Sequence, residues 1–298
     1  MKKILGVFYL SLVQFTALSQ GCSDAGACSL SDIKPELPGA TGSNGSSFIK
    51  LGANYGLADY NIAVAGGYIE YGRQLSRKVA LRARLTAIAQ SGNDISTFGL
   101  SDLYLTGIYN FKKVNIIGGL KVPLNDATKS QNGRPLPMDY QSSLGTLDLI
   151  VGIADSLGRL KWSISYQQPL TQNSNQFDGM LYPEGSVFRN IPTTAEFDRA
   201  GDLLARLSYP LELTDRLTLT PGMLPIYHLR NDRYTDEMGV EQQIEGSRGL
   251  TLNFNLFADF ALNDRNSVQL AVGAPALVRD ERPDGLTRSF VINLEYRI

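Results

Sequence analysis

Residues Thr287 to Ile298 read TRSFVINLEYRI, and Phe290, Ile292, Leu294, Tyr296 and Ile298 alternate with Ser289, Val291, Asn293, Glu295 and Arg297. A period of two sends successive side chains to opposite faces of a strand, so this stretch carries one apolar file and one mostly polar file. The alternation recurs upstream. Leu250, Leu252, Phe254, Leu256, Ala258, Phe260 and Leu262 make one face, with Thr251, Asn253, Asn255, Asp259 and Phe257 on the other. Trp162, Ile164 and Tyr166 likewise oppose Lys161, Ser163, Ser165 and Gln167. Many such strands in one chain require a separate solvent for each face. A closed barrel in a bilayer supplies both: lipid outside, water inside, and every backbone group paired within the sheet.

The expected fold is therefore all-β, a transmembrane antiparallel up-and-down barrel of about twelve strands over residues 48–298, in a bacterial outer membrane. Strands are expected near Phe48 to Leu57, Ile62 to Leu75, Lys78 to Gln90, Phe98 to Phe111, Val114 to Leu124 and Tyr140 to Ala154. Six more are expected near Leu160 to Leu170, Phe197 to Leu211, Arg216 to Leu229, Leu250 to Leu262, Ser267 to Val278 and Arg288 to Ile298. The last should pair with the first to close the ring. Short connections, such as those after Phe111, Asp155, Leu213 and Asn263, alternate with long polar loops after Leu124, Leu170, Leu229 and Val278. In bacterial barrels the short ones are periplasmic and the long ones face the exterior.

Charge sharpens the inside–outside assignment. Glu70, Arg82, Arg84, Asp102, Asp148, Lys161, Asp202, Arg206, Asp259 and Glu295 all fall on polar files in mid-strand, with Arg297 beside them. An Arg or Lys facing lipid at the midplane costs about 2–4 kcal/mol, so these residues are expected to face the lumen. Both signs are present, which predicts a wet interior cross-linked by ion pairs. For each charge, a structural pair that holds strands in register is the simplest role. Inward Tyr68 and Tyr104 should fill part of the narrow bore that about twelve strands enclose.

At the other end, Lys2 and Lys3 precede the apolar run LGVFYLSLV and Ala17-Leu18-Ser19. That combination predicts an export signal over residues 1–19, shorter than the ~20 residues of a spanning helix. Cys22 and Cys28 follow in GCSDAGACS. Two close thiols in an exported chain are expected to form a disulfide. Lipidation of Cys22 is the alternative, although Ser19-Gln20-Gly21 lacks the Leu that opens a lipobox. Two thiols are too few for a metal site, and the single histidine, His228, is remote in sequence. Residues 20–47, rich in Pro, Gly and Ser, read either as a periplasmic leader or as a plug folded back into the barrel.

Several function classes are disfavoured. A net charge of −1 carries no basic footprint for nucleic acid. One histidine leaves only His228, in GMLPIYHLRND, as a base, and no nucleophile elbow, zinc-protease helix or phosphate loop occurs in its proper context. No catalysis and no cofactor are expected. The loop residues Phe177, Met180, Leu181, Tyr182, Phe188 and Ile191 either pack on one another or receive a small apolar ligand at the mouth.

Two stretches carry a family resemblance. GLSDLYLTGIYNF at Gly99 to Phe111 has Gly-x-x-Asp-Leu followed by Tyr-x-Phe, and Gln141, Gly145, Asp148 and Gly152 fit a Gln-x-x-x-Gly-x-x-Asp segment with a Gly beyond it. The chain in this region resembles the outer-membrane β-barrels of a meta-pathway of phenol degradation, related to the FadL-like fatty-acid channels. The final alternating strand also resembles the signal read by the outer-membrane assembly machinery. The resemblance implies passive uptake of small apolar or organic molecules. It has limits: no match to the N-terminal hatch of the fatty-acid channels is visible, and twelve strands are fewer than their set. The other readings are a structural anchor or partner of a surface complex with a filled lumen, and, less favoured, an outer-membrane enzyme.

Overall fold

The computed structural model describes residues 45–112 and 114–298. The expected signal segment, the two cysteines and nearly all of the expected leader or plug lie outside the described residues. Twelve strands form the wall: β1 Ser47–Leu57, β2 Ala63–Gln74, β3 Val79–Gly92, β4 Ile95–Phe111, β5 Val114–Pro123, β6 Asp148–Leu157, β7 Leu160–Pro169, β8 Asp202–Ser208, β9 Leu217–His228, β10 Gly249–Ala261, β11 Ser267–Leu277 and β12 Phe290–Arg297. Each pairs antiparallel with its neighbours in sequence, and β12 pairs with β1, Leu294 opposite Ala53 and Tyr296 opposite Leu51. The sheet has no free edge, which removes the unpaired backbone that a bilayer would not tolerate.

The apolar files point outward. Leu51, Leu105, Ile153, Leu203, Leu256, Leu270 and Leu294 are all exposed in the isolated chain, a continuous belt that only lipid would cover. Tyr71, Tyr109 and Tyr209 stand exposed toward one rim, and Tyr55 and Tyr227 toward the other, the positions where aromatic girdles meet the two interfaces. Two register shifts, at Leu85/Ala87 against β4 and at Leu252/Asn253 against β11, locally re-aim the strands, as β-bulges do.

Connections at one rim are short, as at 75–78, 158–159 and 262–266. The opposite rim carries 58–62, 93–94 and the long segments 124–147, 170–201, 229–248 and 278–289. These long segments fold together into a cap with its own core. Ile62, Ile95, Leu136, Tyr140, Phe177, Tyr182, Phe188 and Ile191 form one buried cluster, and Ala127, Met138, Leu144, Phe197 and Ile244 a second. Tyr182 lies 4.7 Å from Phe188 and 5.8 Å from Phe177 between ring centroids. Asn175 fastens two of the loops: its amide nitrogen donates to the carbonyls of Ala127 and Leu136, while its oxygen accepts from the Phe177 N–H and the Thr194 hydroxyl. Met180 and Leu181, by contrast, are exposed.

Two expected strands begin later than their alternation suggests. β6 starts at Asp148 rather than Tyr140, and β8 at Asp202 rather than Phe197. Tyr140, Leu144 and Phe197 are apolar because they fill the cap, not because they face lipid, and a period-two count cannot separate these causes.

Candidate functional site: an eccentric lumen and its charge network

The interior is not uniformly polar. Inward residues Tyr104, Ile117, Ile150, Leu204, Leu224 and Ile226, from β4, β5, β6, β8 and β9, pack into one apolar cluster. The expectation of a lumen that is wet throughout is corrected on this side, where apolar side chains meet across the barrel and exclude water.

Open space lies mainly against the wall made by β10, β11, β12, β1, β2 and β3, with side chains of β4, β5 and β8 completing its lining. There a cavity of about 210 Å³ is lined by Asn54, Tyr68, Arg84, Asp102, Arg206 and Asn255, among others. Its ceiling comes from the cap, through Met138, Ser142, Ser143 and Leu144 of one loop and Asp284, Gly285, Leu286 and Arg288 of another.

The wall stays thin because glycines face large partners. Tyr68 pairs across the sheet with Gly52, Phe48 with Gly72, Asn54 with Gly66, and Asn255 with Gly273. In every pair the side chain lies flat over the glycine, so closely that a Cβ there would fall 2.1 Å from the Tyr68 ring or 2.2 Å from that of Phe48.

Charged side chains form two networks. Toward the short-turn rim, Arg84 places Nε and Nη2 each 2.6 Å from Glu70 Oε2, and its guanidinium lies 4.1 Å from the Tyr68 ring centroid. The Tyr68 hydroxyl donates to Glu295, which also pairs with Lys50 at 3.3 Å. Arg82, Lys50 and Arg297 surround the Phe48 ring at 5.4, 5.3 and 4.5 Å. Asp259 accepts from Gln269 at 2.7 Å. Lys161 is half-buried on β7, and Arg206 stands 5.6 Å from the Phe257 ring and within 3.5 Å of the Asn255 oxygen.

Toward the cap, Lys121 pairs with the fully buried Asp148 at 2.9 Å. Asp102 accepts from the Ser143 and Ser101 hydroxyls at 2.6 and 2.8 Å. Arg199 bridges Asp202 at 2.6 Å and Asp284 at 3.2 Å, and Arg279 reaches Asp284 at 2.5 Å. Asp284 is buried, which would raise its pKa, yet Arg279 and Arg199 hold it well below the usual carboxylate range. Asp139 is the opposite case. Burial, with the Asp59 carboxylate nearby, pushes it up to about 7.

Of the ten charges singled out in sequence, Arg84, Asp102 and Arg206 meet at the cavity. Glu70, Arg82, Lys161, Asp259 and Glu295 lie toward the short-turn rim, and Asp148 and Asp202 toward the cap. His228 is held between Asp202 and Asp232, each 2.7 Å away. Sequence reasoning did not single out Lys121, Arg199, Arg279 or Asp284. Lys121 sits on an inward file and could have been found by alternation; the other three lie in loops that have no period to read.

The motif residues prove to be joints of the cap seam. Gln141 donates to the Leu136 and Lys129 carbonyls and accepts from the Lys129 N–H. Gly145 has φ 70° and a Cβ there would lie 2.9 Å from the Asp126 backbone, so the chain turns at a place open only to glycine.

Comparison with known folds supports the same architecture. An outer membrane channel from Pseudomonas putida F1 is similar over 90% of this chain and 98% of its own, at 16% identity and a TM-score of 0.57. The chain has the fold of an outer-membrane β-barrel. A FadL homologue from Pseudomonas aeruginosa aligns over 94% of this chain and 98% of its own, at 10% identity and a TM-score of 0.44. The KdgM porin aligns over 83% and 97%, at 7% identity and a TM-score of 0.43. No family model matches the barrel, and no curated protein does. The resemblance to the phenol-degradation barrels therefore rests on the motif residues alone.

Proposed function

We propose that this barrel is a passive outer-membrane conduit for small, mainly apolar organic molecules, with the cap facing the cell exterior. The carrying observation is the eccentric cavity. It has apolar walls from Val64, Ile88, Phe257, Ala271 and Leu286, interleaved with fixed polar groups such as Asn54, Arg84, Asp102, Arg206 and Asn255, and small-molecule sites likewise combine apolar surface with placed polar groups. At about 210 Å³ it is larger than the ~150 Å³ apolar cavity that accepts benzene, so it suits molecules of one ring or a short chain. Glu70 with Arg84, Glu295 with Lys50, Asp148 with Lys121 and Asp202 with Arg199 form ion pairs, so these groups offer little to trap an ion. The ten charged positions then serve as lumen posts that hold the strands in register.

Liposome swelling and planar-bilayer recording on purified mature protein test this reading. Passage of small neutral solutes with low ionic conductance supports it. A barrel that passes neither solutes nor ions would favour the second reading, a structural anchor with a filled lumen, for which the buried cluster around Ile150 and Leu204 is the specific observation.

A further inference from the structure

The glycines opposite Asn54 and Asn255 do more than thin the wall. Gly66 and Gly273 lie on β2 and β11, their partners on β1 and β10, and all four line the cavity. Between them β12 contributes Asn293 and Val291, so the five strands form one uninterrupted face of the lumen. A Cβ on Gly66 would stand 2.8 Å from Asn54 Oδ1 and 2.9 Å from Nδ2, and one on Gly273 would stand 2.5 Å from Asn255 Nδ2. Both carboxamides therefore rest directly on a glycine Cα, in space that any other residue would occupy.

The contrast with other inward glycines is chemical. Gly152 and Gly222 meet backbone: the carbonyls of Ile164 and Leu207 lie 3.0 Å from where their Cβ atoms would stand. A side chain there would strain the sheet itself. At Gly66 and Gly273 the nearest atoms are the ends of flexible side chains, which can move in only one direction. Behind them is the sheet, so they must rise into the lumen.

Resting on the conduit reading above, we infer that Gly66 and Gly273 are the size-determining residues of the lumen, acting by keeping the Asn54 and Asn255 amides folded against the wall. The bore is the space those amides leave. The amides stay turned along the wall, where they can meet a neutral hydrogen-bonding group of a passing solute, and Asn255 Oδ1 also accepts from Arg206 at 3.5 Å. Gly52 plays the same part for Tyr68, but that ring is anchored through Glu295 and Arg84 and cannot rise without breaking a buried network.

The test is solute-influx measurement in liposomes with a size-graded series of neutral polyols and short ethylene glycols. It compares wild type, Gly66→Ala/Gly273→Ala, and the same pair carrying Asn54→Ala and Asn255→Ala. Gly118, whose added Cβ would meet nothing within 4 Å, supplies the control Gly118→Ala, and folding is confirmed by electrophoretic mobility with and without heating. The glycine pair should lose passage of the largest solute that wild type admits while still passing the smallest. Trimming both asparagines should restore it, which a merely destabilised barrel would not show. An unchanged size cut-off, or no recovery on trimming, overturns the inference while leaving the conduit reading in place. A wild-type barrel that admits no solute overturns both.

Discussion

Lys121 and Asp148 face each other across the β5–β6 pair at the point where the segment 124–147 leaves the wall. Their side chains are 2% and 0% exposed and 2.9 Å apart. Removing one member of such a pair leaves an uncompensated buried charge, at a cost of about 3–5 kcal/mol. The two single substitutions should differ. In Lys121→Met the Asp148 carboxylate keeps hydrogen bonds from Thr146, at 2.6 Å, and from Gln167, but is left facing the nearby Asp102 carboxylate, so the cost should be the larger of the two. In Asp148→Asn the Lys121 ammonium keeps the Thr146 hydroxyl, at 3.1 Å, the new amide oxygen and the attraction of the nearby Asp102 carboxylate, so its cost should be the smaller of the two. The double variant buries no charge, and its loss should be less than the sum by about 2 kcal/mol, in the range found for directly coupled neighbours. Denaturant titration of the barrel in lipid vesicles reads all four corners of the cycle. Trp162, the single tryptophan, is a built-in fluorescence probe on the outer face of β7. Single substitutions costing under about 1 kcal/mol, or strictly additive losses, would refute the argument that the pair is dry and pins the loop base.

Other outcomes are expected elsewhere. Asp139 has a folded pKa of about 7, above the ordinary carboxylate value, so its contribution to the cap is full in acid and is lost as pH rises through about 7. Amide protection in the seam it shares with Asp59, Asp284, Arg288 and Tyr60, taken relative to the intrinsic base-catalysed exchange rate at each pH, should then be lower at pH 8 than at pH 5; Asp139→Asn should flatten that difference, and an unaltered profile would exclude Asp139 as its source. Leu256→Arg and Leu294→Arg, on the exposed files, should each destabilise the barrel by about 2–4 kcal/mol in vesicles, and values near zero would mean that the lipid-facing register is wrong. Deleting Gln20 to Gly45 should raise single-channel conductance if the leader plugs the short-turn rim, with reduction of a Cys22–Cys28 disulfide acting more weakly in the same direction; unchanged conductance would show a leader that does not enter the lumen.

How much of this could be read without coordinates depends on which forces act residue by residue. Alternation along β10 or β12 is such a signal, because each side chain separately meets lipid or the interior, and an arginine against lipid is costly whatever its neighbours are. That reasoning reached the closed barrel and its strand number, and the Gln141, Gly145 and Asp148 spacing marked a seam. The partners of the charges were not legible. Arg199 joins Asp284 across 85 positions and Tyr68 joins Glu295 across 227, and only closure of the ring brings them together. Nor did the pattern show that Ile117, Ile150 and Leu224, apolar residues on inward files, would fill one half of the lumen. Their meeting depends on which strands stand opposite, a property of the ring and not of any strand. The cap shows the same limit, since Tyr140 and Phe197 looked like strand residues until the loops of 124–147 and 170–201 had a core to share. Period and charge thus determined the wall and its two solvents, where each residue answers to its own surroundings. The packed half, the cap and the narrow space between Gly66, Gly273 and the cap's underside were decided only in three dimensions, because they are made by residues with no sequence relation to one another.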